Sequence, residues 1–224
     1  MDAVKKANSL SLAMFEQCYL EDTSLMHIVH KDESKATFDI SHHDTASLAR
    51  EDFEACFDLI KTTSMSDYKA SSMDWKPDHK KREMKDPLMH YLLVRRQSSP
   101  SDLKEPTATP EIEGFLSFML TYDSHPCVPV LYVYEIHLAE SARGTGLGAR
   151  LLSICETLAQ KVAVSKVMLT CFLSNNNARQ FYDYHGYTRD PVSPEDRRTR
   201  NTTVKADYII MSKDVVSDSA PEQI

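Results

Sequence analysis

Between Val130 and Val162 the hydrophobic period of the chain changes within a few residues. Residues 131–138, LYVYEIHL, are rich in β-branched and aromatic side chains and predict a strand. Leu147, Leu151, Ile154, Cys155, Leu158 and Val162 then fall on one stripe at helical spacing and predict an amphipathic helix. Between the two lies Arg143-Gly144-Thr145-Gly146-Leu147-Gly148. The same reading extends to the rest of the chain. Residues 3–20 predict one helix, with Val4, Ala7, Ser11, Met14, Phe15 and Cys18 facing a partner surface. Short strands follow at 25–31 and 36–40, then a helix from an N-cap at Asp44 to about Ile60, with Leu48, Phe53, Cys56, Phe57 and Ile60 inward. Residues 62–86 are polar, with a short solvated helix expected at 78–85. Strands at 88–96 and 111–122 are separated by loop composition at 97–110.

A hairpin turn at 123–129 leads into the 131–138 strand. After the long helix come an apolar strand at 166–173, buried on both faces, a helix at 175–184 closed by Gly186, a polar loop at 188–203, and a last strand at 204–211. The order, strands and then α-β-α-β, predicts an α/β sandwich around a mixed sheet. The expected division is a helical extension at 1–22, one domain at 23–213 and a disordered tail at 214–224.

Composition narrows the chemistry. With 224 residues and 42% hydrophobic content, the chain suffices for one buried core with an extension. A net charge of −7 argues against a nucleic-acid coat and favours a cationic substrate. The five cysteines are odd in number and form no C-x-x-C pair. Cys155 and Cys171 lie in apolar patterns and read as small core hydrophobes. Asp123, His125 and Cys127 form one short string with no second cluster, so no metal is expected. The opening residues lack the apolar core of a signal peptide, and no run reaches transmembrane length. The expected setting is a reducing compartment, cytosol or nucleus, without membrane or direct nucleic-acid contact.

Glycines at a helix start leave backbone N–H groups uncrowded, and these donors with the helix dipole make an anion site suited to a pyrophosphate. A Walker loop needs Gly-Lys-Ser/Thr where this chain has Gly148-Ala149-Arg150, and a dinucleotide fingerprint needs G-x-G-x-x-G. What remains is R-x-x-G-x-G, carried by Arg143, Gly146 and Gly148 just after a strand bearing Glu135. This pattern resembles the GCN5-related N-acetyltransferase (GNAT) superfamily. A second motif supports it: Asn175, Ala178, Phe181, Tyr182, Gly186 and Tyr187 fit that family's N-x-x-A-x-x-F-Y-x-x-x-G-F/Y. The resemblance implies a mixed, mostly antiparallel sheet splayed at its central strand and flanked by helices, here with an extra N-terminal helix. It also implies acetyl-CoA as cosubstrate. Arg143, Gly144, Thr145, Gly146, Leu147 and Gly148 would hold its pyrophosphate. The backbone of Ile136, His137 and Leu138 would face its acyl carbonyl and pantetheine, Asn175 would bond the pantetheine arm, and Tyr182 would lie near its sulfur.

A narrower resemblance, over about residues 68–211, is to the N-terminal acetyltransferase D family. LYVYEIHL is similar to that family's L-Y-x-Y-E-V-Q-L, and KVMLTCF to its K-V-M-L-T-V-F. Tyr68 stands seven residues before Trp75, followed by a charged run as in the family, and Tyr208 matches a tyrosine of the final strand. The resemblance implies that Tyr132, Tyr134 and Glu135 line the substrate cleft, that Tyr68 and Tyr208 close it, and that Asp123 grips the substrate tail. His125 replaces a family acid and Met73 a family tryptophan. The implied substrates are the N-termini of histones 4 and 2A, Ser-Gly-Arg-Gly. The implied enzyme is a monomer of cytoplasm and nucleus, with the ribosome as a candidate partner.

The chemistry needs a neutral amine, a base and a polarised thioester. A peptide α-amine, with pKa about 7.7–8.0, needs roughly 3.5 kcal/mol less help than a lysine at about 10.4. Glu135 is the candidate base, directly or through one water, and Tyr208, Tyr134 and Tyr182 are alternative proton donors to the thiolate. Strand alternation puts Tyr132 and Tyr134 on one face and Glu135 on the other. All three can meet one ligand only if a β-bulge interrupts residues 133–136. Two rival readings are an acetyltransferase of lysines or small amines and a non-catalytic acyl-CoA-binding protein.

Overall fold

The computed structural model describes residues 2–21, 26–28, 37–97, 111–123, 127–198, 200 and 203–215. Two short helices open it, α1 (Ala3–Asn8) and α2 (Leu12–Tyr19). Strands β1 (His27–Ile28) and β2 (Phe38–Asp44) lead to helices α3 (Arg50–Ala70) and α4 (Pro77–Glu83). Then come β3 (His90–Arg96), β4 (Ile112–Tyr122), β5 (Pro129–Leu138), α5 (Leu147–Val162), β6 (Lys166–Phe172) and α6 (Asn176–Tyr184). The remaining strands are β7 (Thr188–Arg189), β8 (Arg197–Arg198), β9 (Thr203–Val204) and β10 (Tyr208–Asp214).

Among the described residues eight strands form one sheet in the order β1-β2-β3-β4-β5-β6-β10-β7, while β8 and β9 make a separate hairpin. Every pairing in the large sheet is antiparallel except β5 with β6. That pair is parallel because α5 carries the chain back between them, as a parallel connection requires. The expected mixed, mostly antiparallel sheet with flanking helices is therefore what the chain forms.

The two faces of the sheet bury separate cores. On one, Leu92, Val94, Leu116, Phe118, Leu131, Val133 and Leu169 pack with α1, α2, α5 and α6. On the other, Tyr91, Leu93, Phe115 and Met119 pack with Phe53, Cys56, Phe57 and Ile60 of α3 and with Met84 beyond α4. All six residues of the predicted α5 stripe are buried.

β5 is distorted where the sequence requires it. Ser117 pairs with Glu135 and Phe118 with Val133, so Tyr134 is an extra residue with no partner. Val133 faces the α5 core and Tyr134 the α3 core. Glu135, set against Ser117, lies on the α3 side as well, so the bulge gives two successive side chains the same face. Pairing of β5 with β6 runs only from Leu131–Val167 to Val133–Leu169, and beyond it a cavity is lined by both strands. The bulge and the end of this ladder together splay the sheet.

Several expectations change. The N-terminal helix is two helices, because Ser11 caps a new one by accepting from the Met14 amide. The break shifts the helical phase: Val4, Ala7 and Phe15 are buried, whereas Met14 is 46% exposed and Ser11 and Cys18 also face solvent. Asp44 does not cap α3; it ends β2 and holds a turn by accepting from the Ser47 amide at 2.8 Å. α3 begins at Arg50 and runs ten residues past the expected end, to Ala70. α4 is not simply solvated, since Lys80 is buried. The 188–203 loop contains β7 and β8, the last strand is shifted to Tyr208–Asp214, and Val215 is buried, so the order continues past the expected tail boundary. Most of the strand expected at 25–31, the 98–110 part of the expected loop, His125 and residues 216–224 lie outside the described residues.

Candidate active site

A continuous cleft of about 1570 Å³ opens between β5 and β6 and runs under α3, α4, α5 and α6. At one end, α5 starts at Gly146, whose φ of 86° lies in the left-handed region that favours glycine. No side chain caps this helix, so its first N–H groups remain as donors. Gly144, with φ 72°, and Gly146 have no heavy atom within 4 Å of an added Cβ, so the loop presents bare backbone. A Cβ on Gly148 would meet the Phe181 ring at 3.1 Å, which shows how closely α5 approaches α6. Arg143, Gly144, Gly146, Leu147 and Gly148 line the cleft. Thr145 does not; its hydroxyl donates to the Ala142 carbonyl at 2.6 Å and fastens the loop. Uncrowded donors at a helix N-terminus fit a pyrophosphate.

Between the splayed strands, Ile136, His137 and Leu138 of β5 and Thr170, Cys171 and Phe172 of β6 line the passage. Asn175 caps α6 by accepting from the Ala178 amide at 3.0 Å, and Tyr182 is buried beside it. Burial pushes the Tyr182 hydroxyl pKa up. The passage suits a thin, extended arm.

The other end is built around Glu135. It is 6% exposed. Its Oε1 accepts from Lys80 Nζ at 2.8 Å and from the Tyr68 hydroxyl at 3.2 Å. Its Oε2 lies 2.6 Å from His137 Nε2, and His137 Nδ1 lies 2.6 Å from Thr63 Oγ1. Burial alone would raise the Glu135 pKa, but the Lys80 ammonium and the His137 hydrogen bond outweigh it and hold the carboxyl down at about 2. Burial works against the Lys80 charge in turn, and Glu135 and Glu83 more than restore it. Glu135 is thus ionised across the physiological range.

Aromatic rings wall this end. Tyr68 meets Trp75 edge-on at 5.5 Å and Phe172 at 4.8 Å, and Tyr132 and Tyr134 stand 5.2 Å apart. The Tyr132 hydroxyl shares a 2.6 Å hydrogen bond with Thr170. Tyr68, Tyr132, Tyr134 and Glu135 all line this end of the cleft. Asp123 and Tyr208 do not line the cleft. Asp123 is buried and paired with Lys166 at 3.1 Å, and the same Lys166 also holds Asp190. Tyr208 opens β10 opposite Phe172 of β6. Asp67, Asp74 and Glu83 line the cleft instead. Sequence reading missed these acids, together with Lys80, Thr63 and the His137 side chain. One of them carried a usable signal: His137 shares strand parity with Glu135. Among the described residues no group of three His, Cys, Asp or Glu is arranged to hold a metal.

Residues 53–187 match the acetyltransferase (GNAT) family. A 97-residue stretch is 38% identical to N-alpha-acetyltransferase 40 of Saccharomyces cerevisiae, covering 36% of this chain and 34% of that protein. The similarity therefore spans about a third of that relative's length. The crystal structure of the ribosomal-protein-S18-alanine N-acetyltransferase from Escherichia coli aligns with a TM-score of 0.53 at 14% identity, over 83% of this chain and 99% of the other. Arabidopsis thaliana NAA60, in complex with a bisubstrate analogue, gives 0.57 at 11% identity, over 79% and 99%. At such identities these two structures speak to the fold alone. With the family match over more than half of the chain and a helix-terminal anion loop beside a splayed strand, the chain belongs to the acetyltransferase (GNAT) family.

Proposed function

We propose that this enzyme acetylates the free α-amine of peptide N-termini, and specifically the Ser-Gly-Arg-Gly ends of histones 4 and 2A. The observation that carries the reading is the bulge at Tyr134, which turns Glu135 into the same aromatic-walled cleft as Tyr132, Tyr134 and Tyr68. The partial similarity to an N-alpha-acetyltransferase supports the same choice of amine. Cytoplasm and nucleus, and an encounter with substrates at the ribosome, belong to the same proposal, as does a monomeric state.

The depressed pKa of Glu135 bears on the mechanism. A carboxylate at about 2 is a weak base toward an ammonium, so the reaction must draw on the neutral fraction of the amine. An α-amine offers far more of it: near pH 7 roughly one in ten is neutral, against roughly one lysine in a few thousand. In this reading Tyr68, Trp75, Tyr132 and Tyr134 hold the peptide end. Glu135, directly or through a water, takes the proton that becomes acidic as the amine attacks. The β5 backbone at Ile136, His137 and Leu138 offers donors to the acyl carbonyl and pantetheine. Arg143, Gly144, Gly146 and Gly148 hold the diphosphate, with Thr145 fixing the loop and Leu147 anchoring the helix start. Tyr134 and Tyr182, which line the cleft, remain alternative donors to the departing thiolate, whereas Tyr208 lies outside it. Asp67 and Asp74 supply the negative charge for a basic tail, because Asp123 is already held by Lys166 and Glu83 by Lys80.

The test is acetylation of a histone 4 tail peptide with a free or a blocked N-terminus. Acetylation of the free peptide alone supports the proposal. Equal acetylation of the blocked peptide on its lysines overturns it.

A further inference from the structure

Helix α6 and its end carry more aromatic surface than the core uses. Tyr182 is 7% exposed and Tyr187, just past the helix, is 1% exposed, and both pack in the α5 core. Tyr184, the last residue of α6, is 87% exposed. It belongs to neither core, yet it lines the cleft, as does its neighbour His185. One exposed ring on a protein surface needs no explanation. An exposed ring at the mouth of a ligand cleft does.

Its place is the pyrophosphate end, away from Glu135 and the peptide walls. A Cβ on Gly148 would meet the Phe181 ring at 3.1 Å, so Phe181 abuts the glycine loop. His185, one turn further along, packs edge-on against Phe181 with ring centroids 4.6 Å apart. Tyr184 then meets His185 edge-on at 5.2 Å. Three rings thus step outward from the loop that fits the pyrophosphate, and the outermost is almost wholly open. Coenzyme A continues past its diphosphate into a phosphorylated ribose and an adenine. The glycine loop and the strand passage account for the diphosphate and the pantetheine arm, and neither reads the base. One ribose separates diphosphate from adenine, and one helical turn, about 5.4 Å, separates Phe181 from the Tyr184–His185 pair. Adenine is a flat, uncharged π surface, and an open aromatic ring is the contact that suits it.

We propose that Tyr184 is the stacking platform for the adenine of the acyl donor, with His185 bracing its ring. The platform makes the site select a nucleotide-bearing thioester over one carried on phosphopantetheine alone. The inference rests on acetyl-CoA as the cosubstrate, a reading that the glycine loop and the family match support. It does not depend on which amine is acetylated. Tyr184 touches the donor far from the reacting atoms, so it sets donor affinity and takes no part in the transfer of the acetyl group.

The test is titration calorimetry without peptide, using CoA and phosphopantetheine. The second ligand keeps the arm and one phosphate and lacks the nucleotide. Tyr184→Ala is expected to weaken CoA binding about tenfold and to leave phosphopantetheine binding within about twofold. Tyr184→Phe keeps the ring and should bind CoA as the wild type does. Etheno-CoA, in which the edge of the base is blocked and its face is intact, should bind the wild type within about threefold of CoA. A Tyr184→Ala protein that binds CoA within about twofold of the wild type overturns the proposal. An equal loss for both ligands also overturns it, because Tyr184 would then only support the glycine loop. A loss in Tyr184→Phe as large as that in Tyr184→Ala makes the hydroxyl the contact and overturns stacking. A wild type that binds neither ligand overturns the cofactor reading itself, so the two failures are told apart.

Discussion

Lys80 and Glu135 form a buried ion pair in which each charge justifies the other's place. Removing one partner leaves an uncompensated buried charge, which typically destabilises by about 3–5 kcal/mol. Lys80→Met should therefore lower the urea unfolding free energy by about that much, and Lys80→Met combined with Glu135→Leu should recover most of it. Acid acts on the same pair. The folded pKa of Glu135 is about 2, against an ordinary 4.5, so its contribution is fully present above about 4.5 and is lost as the pH falls toward 2. The size is about 3 kcal/mol at one pKa unit per 1.36 kcal/mol. Stability curves of the wild type and Glu135→Gln should converge as the pH drops through that window. Glu135 itself was legible from the strand and the loop that follows it. Its counter-charge was not, because Lys80 lies 55 residues away in a charged run that reads as a solvated helix face.

At the scale of elements, the α5 loop and the α2 contact behave differently. Gly146→Val forces a β-branched residue to a φ of 86°, which costs on the order of 1–2 kcal/mol, and it also crowds the anion site. The expected outcome is a rise of at least about tenfold in KM for acetyl-CoA with only a modest fall in melting temperature, measured on the same preparation. Helix α2 docks by stacking Phe15 on His42 at 5.4 Å and on His90 at 4.5 Å, while Glu16 bonds His42. Burial drives both histidine pKa values down to about 4 from 6.5. The unfolded chain thus binds protons between pH 6.5 and 4 that the folded one refuses, so stability falls as the pH drops through that range. Limited proteolysis should show faster cleavage near Ser9–Ser11 at pH 5 than at pH 7, and His42→Asn should weaken that dependence. The existence of the N-terminal helical segment was visible in its apolar spacing. The break at Ser11 was not, because a serine in a helical stripe reads equally as a face or as a cap.

At the scale of the whole molecule, the net charge of −7 and the acids Asp67 and Asp74 along the cleft attract a basic peptide over distances that salt shortens. For a Ser-Gly-Arg-Gly peptide, kcat/KM should fall several-fold as ionic strength rises from about 0.05 to 0.5 M. With a neutral peptide of equal length the fall should be smaller. Equal salt dependence would remove the electrostatic part of the substrate proposal.

The chain order of residues sufficed for whatever depends on neighbours: the period of the central strands and of α5, and the glycine loop at the start of α5. These are backbone constraints that a few consecutive residues impose. The fold alone decided which groups meet across long loops. It paired Lys80 with Glu135, set Thr63 behind His137, tied Asp123 to Lys166, and moved the acidic lining to Asp67, Asp74 and Glu83. Those contacts depend on how α3 and α4 lie over the splayed sheet, and that placement is fixed by burial of side chains far apart in sequence.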